Sequence, residues 1–430
     1  MKPEYGATTI IMTSLMLGLL LMLVMANAKG LLYQIKHSND YLDSRRSYWR
    51  AEGGLECAYA KMRRTGQLAQ NLSDCIALLD LDELIIEQQR PNIIRSSSGY
   101  VRLSKAFYLP ELQIKSPITT RSHFLVNGNL KVAPSIGQRL NHSQWQCYSL
   151  RYAGALFAKS FASKSLMSSQ VGHGNLAAIP SSTPRRCSDS HYTRLVWKLE
   201  DTQKDFQFEP SVDPFKEVFN VERSEWFSVM SDTSRLAYVP HSLRDSIPSH
   251  ADRLPKATFN QNCAESIISL VRASHDLIWV FGGCELNEPD IHALNLAIDS
   301  YLESGLMVVF HNGIVSISAQ QPLKGFIYHL VTSGIHTQYT DWPKTRVSRP
   351  PSILNHTIAQ LSSVAQLSEE TVSYFQHGHF YPLGGLVLDA PNSYALVSGG
   401  LNTEYRQQVT QAVARDFHFL SWAAGSWYDF

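Results

Sequence analysis

The sequence predicts an α+β protein. One long N-terminal transmembrane helix precedes a large β-rich ectodomain of short, glycine-punctuated strands, arranged either as a mixed sheet with hairpins or as a short β-solenoid. Three observations predict this class. Residues 7–28 form an uncharged apolar run long enough for one membrane crossing. Apolar positions then recur every seventh residue as far as Met62. Beyond about residue 262, short apolar segments are separated by Gly-Gly and Asn-Gly pairs.

A chain of 430 residues can hold roughly two or three domains with a sizeable core. Hydrophobic residues make up 44% and charged residues 17%, which marks a globular rather than a disordered chain. The formal net charge of +1 excludes a global field that would draw nucleic acid or an acidic substrate. None of the six cysteines, Cys57, Cys75, Cys147, Cys187, Cys263 and Cys284, forms a CxxC pair, which argues against a thioredoxin motif or a compact zinc ribbon. An even count behind a membrane segment suggests disulfides in an oxidising compartment. Neighbour pairing gives Cys57–Cys75, Cys147–Cys187 and Cys263–Cys284, one of 15 arrangements that sequence leaves open. Buried free thiols are the plainer alternative.

The 22 residues from Ala7 to Ala28 carry no charge. At about 1.5 Å per residue they cover a hydrocarbon core of roughly 30 Å. Lys2 and the amino terminus precede the run and Glu4 partly offsets them, a weak bias toward a cytoplasmic N-terminus with everything from Lys29 outside. Ala26-Asn27-Ala28 also fits a secretory cleavage site, which would release a soluble protein. Against that, the apolar run exceeds the usual signal core and the helical pattern continues. Ile35, Leu42 and Trp49 form one stripe and Tyr41, Tyr48, Leu55 and Met62 another, together one face of a long amphipathic helix.

Three features of this stretch occur together: a polar leader, "MKPEYG", ending in Gly6; the apolar segment; and a closing block, Ala51-Glu52-Gly53-Gly54-Leu55-Glu56. In this it resembles the PilX-type minor pilins of the type IV pilus family. The resemblance implies that a prepilin peptidase cuts between Gly6 and Ala7, with Ala7 the mature N-terminus. It also implies a helix that spans the membrane before assembly and lies in the filament core afterwards, with Ile11, Leu15, Leu19 and Leu23 along it. The fifth mature position is Ile11, where major pilins carry a Glu thought to pair with a neighbour's N-terminal amine. A carboxylate in a bilayer is costly, so Ile11 eases insertion and removes that pairing. The same loss marks the tip-located K-type minor pseudopilin of type II secretion, and it points to a rare or terminal subunit.

Past the helix, "LSDCIALLDLDELIIEQQ" reads as a short helix or strand edge and "GYVRLSKAFYL" as a strand. "SHFLVNGNLKVA" reads as two short strands about Asn127-Gly128, a hairpin or solenoid turn. Residues 140–260 are rich in Ser, Pro and isolated aromatics; "TRLVWKL" is strand-like and the topology is not assignable. Then "DLIWVFGGCEL" is a buried strand ending in a Gly-Gly turn. "DIHALNLAIDSYLESG" is a helix with Ile291, Leu294, Ile298 and Leu302 on one face and Gly305 as its stop. "LMVVFHNGIVSISA" is two strands about Asn312-Gly313, and "LKGFIYHLV" another. A helix runs through "NHTIAQLSSVAQLSEETVSYFQ", strands follow at "LGGLVLD" and "SYALVSGGL", and a last helix around "EYRQQVTQAVARDF" precedes the aromatic tail "SWYDF". The segments are therefore a leader at 1–6, the helix at 7–65, a mixed β-rich part at 66–260 and a C-terminal α/β or solenoid-like part at 261–430. The last part resembles PilX-related surface proteins at Trp279, Val280 and Gly282; Val308, Val309, Gly313 and Ile317; Gly325, Ile327 and Tyr328; and Ser426, Trp427, Asp429 and Phe430.

No complete catalytic set is present: there is no HExxH, GxSxG or P-loop. His377 and His379 would sit on one strand face, but two ligands without a third make no metal site. Asn287, Glu288 and Asp290 offer oxygens, though Asp290 is better placed as a helix N-cap. The basic groups Arg185–Arg186 and Lys344, Arg346 and Arg349 read as solubility features before phosphate contacts. The expectation is a non-enzyme with no cofactor and no metal.

The resemblance implies a minor type IV pilin at or near the pilus tip, priming assembly or presenting an adhesive surface. Its implied partners are other pilin subunits, the inner-membrane assembly machinery, prepilin peptidase and a host or abiotic surface, without nucleic acid. Its implied location is the bacterial inner membrane, single-pass with a periplasmic ectodomain, then the cell-surface pilus. Two alternatives stand beside it: a secreted adhesin or binding protein cleaved after Ala28, and a type II secretion pseudopilin.

Overall fold

The computed structural model describes residues 5–65, 68–69, 71–87, 92–108, 115–141, 143–166, 186–303, 305–332, 339–406, 409–410 and 421–429. The protein is α+β and divides into two compact units. One comprises Met1–Pro110 with Phe419–Phe430, and the other is Glu111–His418.

The first unit is built on a 61-residue helix, α1 (Tyr5–Thr65), long and apolar enough to cross a membrane. Ala51, Leu55, Ala58 and Met62 are fully buried, at spacings of four, three and four that keep them on one face. They pack in one cluster with Leu84, Ile94, Leu103 and Phe107. Those residues come from an antiparallel meander of β1 (Glu83–Glu87), β2 (Asn92–Ser98) and β3 (Val101–Tyr108). A short helix, α2 (Ser73–Leu79), precedes β1, so the ambiguous segment is helix and then strand. A Cβ on Gly54 would lie 2.4 Å from Ser96 Oγ and 2.7 Å from Leu81 Cδ1, so this glycine lets helix and sheet approach closely. Of the two expected stripes only the second is buried, and only from Leu55 onward; Tyr48 is half-buried, while Ile35, Tyr41, Leu42 and Trp49 are exposed. Among the described residues, the helix packs against the sheet from Tyr48 onward.

The second unit begins with β4 (Ile118–Thr120), β5 (His123–Val132), β6 (Ser135–Arg139), β7 (Gln144–Tyr148), β8 (Leu150–Tyr152), β9 (Leu156–Ser163), β10 (Arg186–Cys187) and β11 (Phe206–Phe208). Three small helices, α3 (Pro214–Phe219), α4 (Trp226–Met230) and α5 (Leu243–Ser246), lie on either side of β12 (Ala237–Val239) in the chain. Then come α6 (Cys263–Arg272), β13 (Leu277–Phe281), β14 (Cys284–Asn287), α7 (Glu288–Tyr301), β15 (Leu306–His311), β16 (Val315–Ser318) and β17 (Gly325–Leu330). The unit continues with α8 (Ile353–Leu361), β18 (Val372–His377), β19 (Gly385–Asp389), β20 (Tyr394–Ser398) and β21 (Leu401–Asn402).

Among the described residues these strands form two all-parallel sheets and a small three-stranded one, β10-β7-β6. The eight-stranded sheet runs β11-β8-β4-β19-β17-β15-β13-β12. The seven-stranded sheet runs β14-β16-β18-β20-β5-β21, with β9 also on β5. Successive strands alternate between the two large sheets: β4 then β5, β8 then β9, β13 then β14, β15 then β16, β17 then β18, β19 then β20. The chain enters in the middle, runs out to β11, restarts at the far end with β12 and returns until β19 pairs with β4. Inward residues of both sheets share one core cluster, including Phe124, Ile278, Val308, Ile317 and Val397. The other face of the larger sheet is covered by residues of α3–α5, and that of the smaller by Trp342 and α8.

β22 (Ser421–Asp429) returns the chain to the first unit, antiparallel to β3 with Ser421 opposite Tyr108. There Trp422 stacks on Tyr59 with ring centroids 4.3 Å apart, and Lys105 Nζ lies 3.9 Å above the Trp422 ring. A boundary at residue 260 is therefore not observed. β12 pairs with β13 across it, and the tail belongs with the N-terminal helix.

Other expectations are corrected locally. Asn127-Gly128 is no hairpin, because β5 runs through it with a register irregularity. A Cβ on Gly128 would lie 2.6 Å from the backbone of Gly399, so the glycine serves a close approach. β15 and β16 do not pair with each other; Asn312-Gly313 is a corner between sheets. "TRLVWKL" makes one bridge, Val196 to Phe161, and no strand. α8 stops at Leu361, and "VSYFQH" is β18. α7 begins at Glu288 with Asn287 as cap, and Asp290 accepts from the Asn287 N–H at 2.9 Å from the third helical position. The tail "SWYDF" lies at the end of β22, and most of "EYRQQVTQAVARDF" lies outside the described residues.

Candidate functional site

Gly6 and Ala7 lie in the first turn of α1. Ile11, Leu15, Leu19 and Leu23 are each more than half exposed, and so is every other large apolar side chain described between Ile10 and Met25. An apolar helix face this long in water would be strongly unfavourable. The same helix is fully packed at Ala51–Met62. Its two halves thus have opposite requirements, one needing an apolar surround and the other supplying the core of a folded head.

The six cysteines form three disulfides, Cys57–Cys75, Cys147–Cys187 and Cys263–Cys284. The first ties α1 to α2, the second joins the paired strands β7 and β10, and the third joins α6 to β14.

Sequence inspection missed a buried polar cluster at the C-terminal ends of the larger parallel sheet. Asp389 ends β19 and is fully buried. Its carboxylate accepts from Arg121 Nη1 at 3.1 Å, from Arg223 Nε at 2.9 and 3.0 Å, and from the Tyr328 hydroxyl at 3.0 Å. Arg223 Nη2 also donates to the Val331 carbonyl at 2.6 Å. Burial, reinforced by the Asp389 charge, pushes the Tyr328 phenol well above its ordinary range. With both oxygens of Asp389 engaged, the cluster fastens three strands and the segment bearing Arg223; it has no open position for a reacting group. A charged residue closing the apolar run "LGGLVLD" was the one signal available. Its partners lie 268, 166 and 61 residues away.

A second buried polar set, Arg151 with Glu209 and Glu217, ties β8 to the segment carrying α3 through contacts of 2.8–2.9 Å. Burial raises the Glu217 carboxyl despite the arginine.

The sequence-flagged chemical candidates do not assemble. His377 ends β18, and His379 lies beyond Gly378, whose φ is +92°, so the two do not share a strand face. Glu288 accepts from the Gln320 N–H and from Gln321 Nε2, and Asp290 closes the α7 cap. Lys344 pairs with Asp341 at 2.7 Å. Arg346 donates its backbone N–H to Glu285, Arg186 is exposed in β10, and Arg185 lies outside the described residues. Among the described residues no group of three or more His, Cys, Asp or Glu could hold a metal ion. The exposed apolar half of α1 is long and apolar enough to cross a membrane. In comparisons with known protein families, characterised proteins and solved structures, this chain matches none at a significant level.

Proposed function

We propose that this chain is a membrane-anchored minor pilin or pseudopilin: a rare, terminal subunit of a type IV pilus-like filament that helps prime assembly and presents a large ectodomain. One observation carries the proposal. A single continuous helix is bare over its apolar first half and packed at its other end against a four-stranded antiparallel sheet that the chain's own C-terminal strand completes. That division suits a segment held first by inner-membrane lipid and later by neighbouring subunits. Ile11 at the fifth position after Gly6 suits a subunit that offers its amine to a neighbour's carboxylate and offers no carboxylate itself. Three disulfides suit an oxidising periplasm. The alternation of strands between two parallel sheets further supports taking Glu111–His418 as a short β-solenoid, carried as an insert at the head. Prepilin peptidase, assembly-platform proteins and other pilins are the partners this role requires.

Mass spectrometry of the mature N-terminus tests it. The expected mature chain starts at Ala7, and Gly6→Val leaves the precursor uncut. A chain starting at Lys29 would overturn the proposal in favour of a secreted protein.

A further inference from the structure

The seven-stranded parallel sheet carries a polar row on its outer face. Register places Asn287 beside Ser318, Ser318 beside His377, His377 beside Ser398 and Ser398 beside Asn127, one residue from each of five adjacent strands. Two residues earlier on three of these strands, Phe375, Leu396 and Leu125 face outward into the cluster formed with Trp342 and α8. Alternation along a strand therefore puts the row on that same outer face, at the lip of the covering segment. All five residues are half-exposed. At about 4.8 Å per strand the row extends about 19 Å.

The two ends of the row are engaged and its middle is not. Asn127 Nδ2 donates to Gln360 of α8, and Asn287 caps α7, its side chain accepting from the backbone of Asp290 and making a long 3.5 Å contact from Nδ2 to the Asp290 carboxylate. Among the described residues the side chains of Ser318, His377 and Ser398 have no hydrogen-bond partner, and His377 Nδ1 is shielded from solvent without one. An unpaired buried N–H is the costlier arrangement. The ring proton therefore belongs on Nε2, leaving that nitrogen as a donor for a partner outside the chain.

We propose that this row binds a neutral, hydroxyl-rich oligosaccharide lying across the strands. Amide, hydroxyl and imidazole groups repeating at one-strand intervals offer both donors and acceptors, as a chain of pyranose hydroxyls requires. The row contains no Lys or Arg, which disfavours an anionic polymer. Ser318, His377 and Ser398 sit on strands paired on both sides, so no backbone edge is open for an added peptide strand. The inference deepens the ectodomain-presentation part of the proposed function. It is measured on purified protein, so it fails separately from the N-terminal test.

Full-length protein in a sugar-free detergent is titrated calorimetrically with cellohexaose, chitohexaose, maltohexaose and hexagalacturonate. At least one neutral hexasaccharide is expected to bind in preference to the anionic one. The pair Ser318→Val and Ser398→Val, and separately His377→Leu, should each weaken that binding tenfold or more without shifting the thermal midpoint. Ser398→Ala, the mildest change, should still weaken it measurably. Failure of all neutral probes to bind, preference for hexagalacturonate, or binding indifferent to every variant would overturn the assignment.

Discussion

His311 and His329 are fully buried in adjacent strands and carry no charge in the fold. Trp279 Nε1 can only donate, so its 3.3 Å contact makes His311 Nδ1 an acceptor and leaves the proton on Nε2, which reaches Thr332 Oγ1 at 2.9 Å. His329 gives its Nε2 proton to the Gly313 carbonyl at 2.9 Å. Burial lowers the two from 6.5 to about 3 and about 4, with the Arg223 charge adding to the shift at His311. The unfolded chain takes up protons near pH 6.5 that the folded chain refuses, so stability falls as pH drops from 6.5 toward 4. Each histidine contributes a slope of about 1.4 kcal/mol per pH unit in that window. Denaturant unfolding at a series of pH values should show His329→Leu with a slope shallower by about one proton. Parallel slopes for variant and parent would refute the buried neutral histidine.

At the scale of the element, the corners between the parallel sheets are set by backbone contact. Gly282 has φ +108° and a built Cβ would lie 1.9 Å from the Thr258 carbonyl oxygen, so it needs glycine on both counts. Gly313, at the corner one strand along, would place a Cβ 2.1 Å from the Gly282 carbonyl carbon. A methyl there forces the two corners apart. Gly313→Ala is expected to destabilise the protein by about 3 kcal/mol, at the upper end for an overpacked site. Gly30→Ala is the control: Gly30 lies on α1 with nothing within 4 Å of a built Cβ, so stability should hold or rise by up to about 1 kcal/mol. Equal effects in thermal unfolding would remove the stacked-corner explanation.

For the whole molecule, the consequence is nesting. β3 and β22 are antiparallel neighbours in one sheet, with Tyr108 opposite Ser421, so Glu111–His418 is an insertion in the chain between two strands of one unit. Within the inserted unit the first and late strands are neighbours: β4 lies beside β19 and Arg121 meets Asp389. A chain lacking Glu111–His418, with a short turn bridging the gap, should keep the α1–sheet core, because no residue of that core cluster is removed. Circular dichroism and thiol alkylation check this: retained antiparallel sheet and an intact Cys57–Cys75 bond are expected, whereas a free Cys57 would show the head needs the insert.

The sequence by itself determined the long helix, the strand character of most segments after residue 262 and the candidate cleavage point. The helix and the strands follow from local periodicity and composition, which need no knowledge of distant residues; the cleavage point is what the resemblance of the leader and apolar segment implies. Only the tertiary structure decided which stripe of α1 is buried, since that depends on where a sheet ends. Only it decided that Asn-Gly and Gly-Gly mark corners and close approaches rather than hairpins, since the residue they accommodate belongs to another layer. The Asp389 cluster, the Asn287–Asn127 row and the return of the last strand to the first unit were illegible for the same reason. Each is made by residues that parallel pairing brings side by side from far apart in the chain, and no local pattern encodes that register.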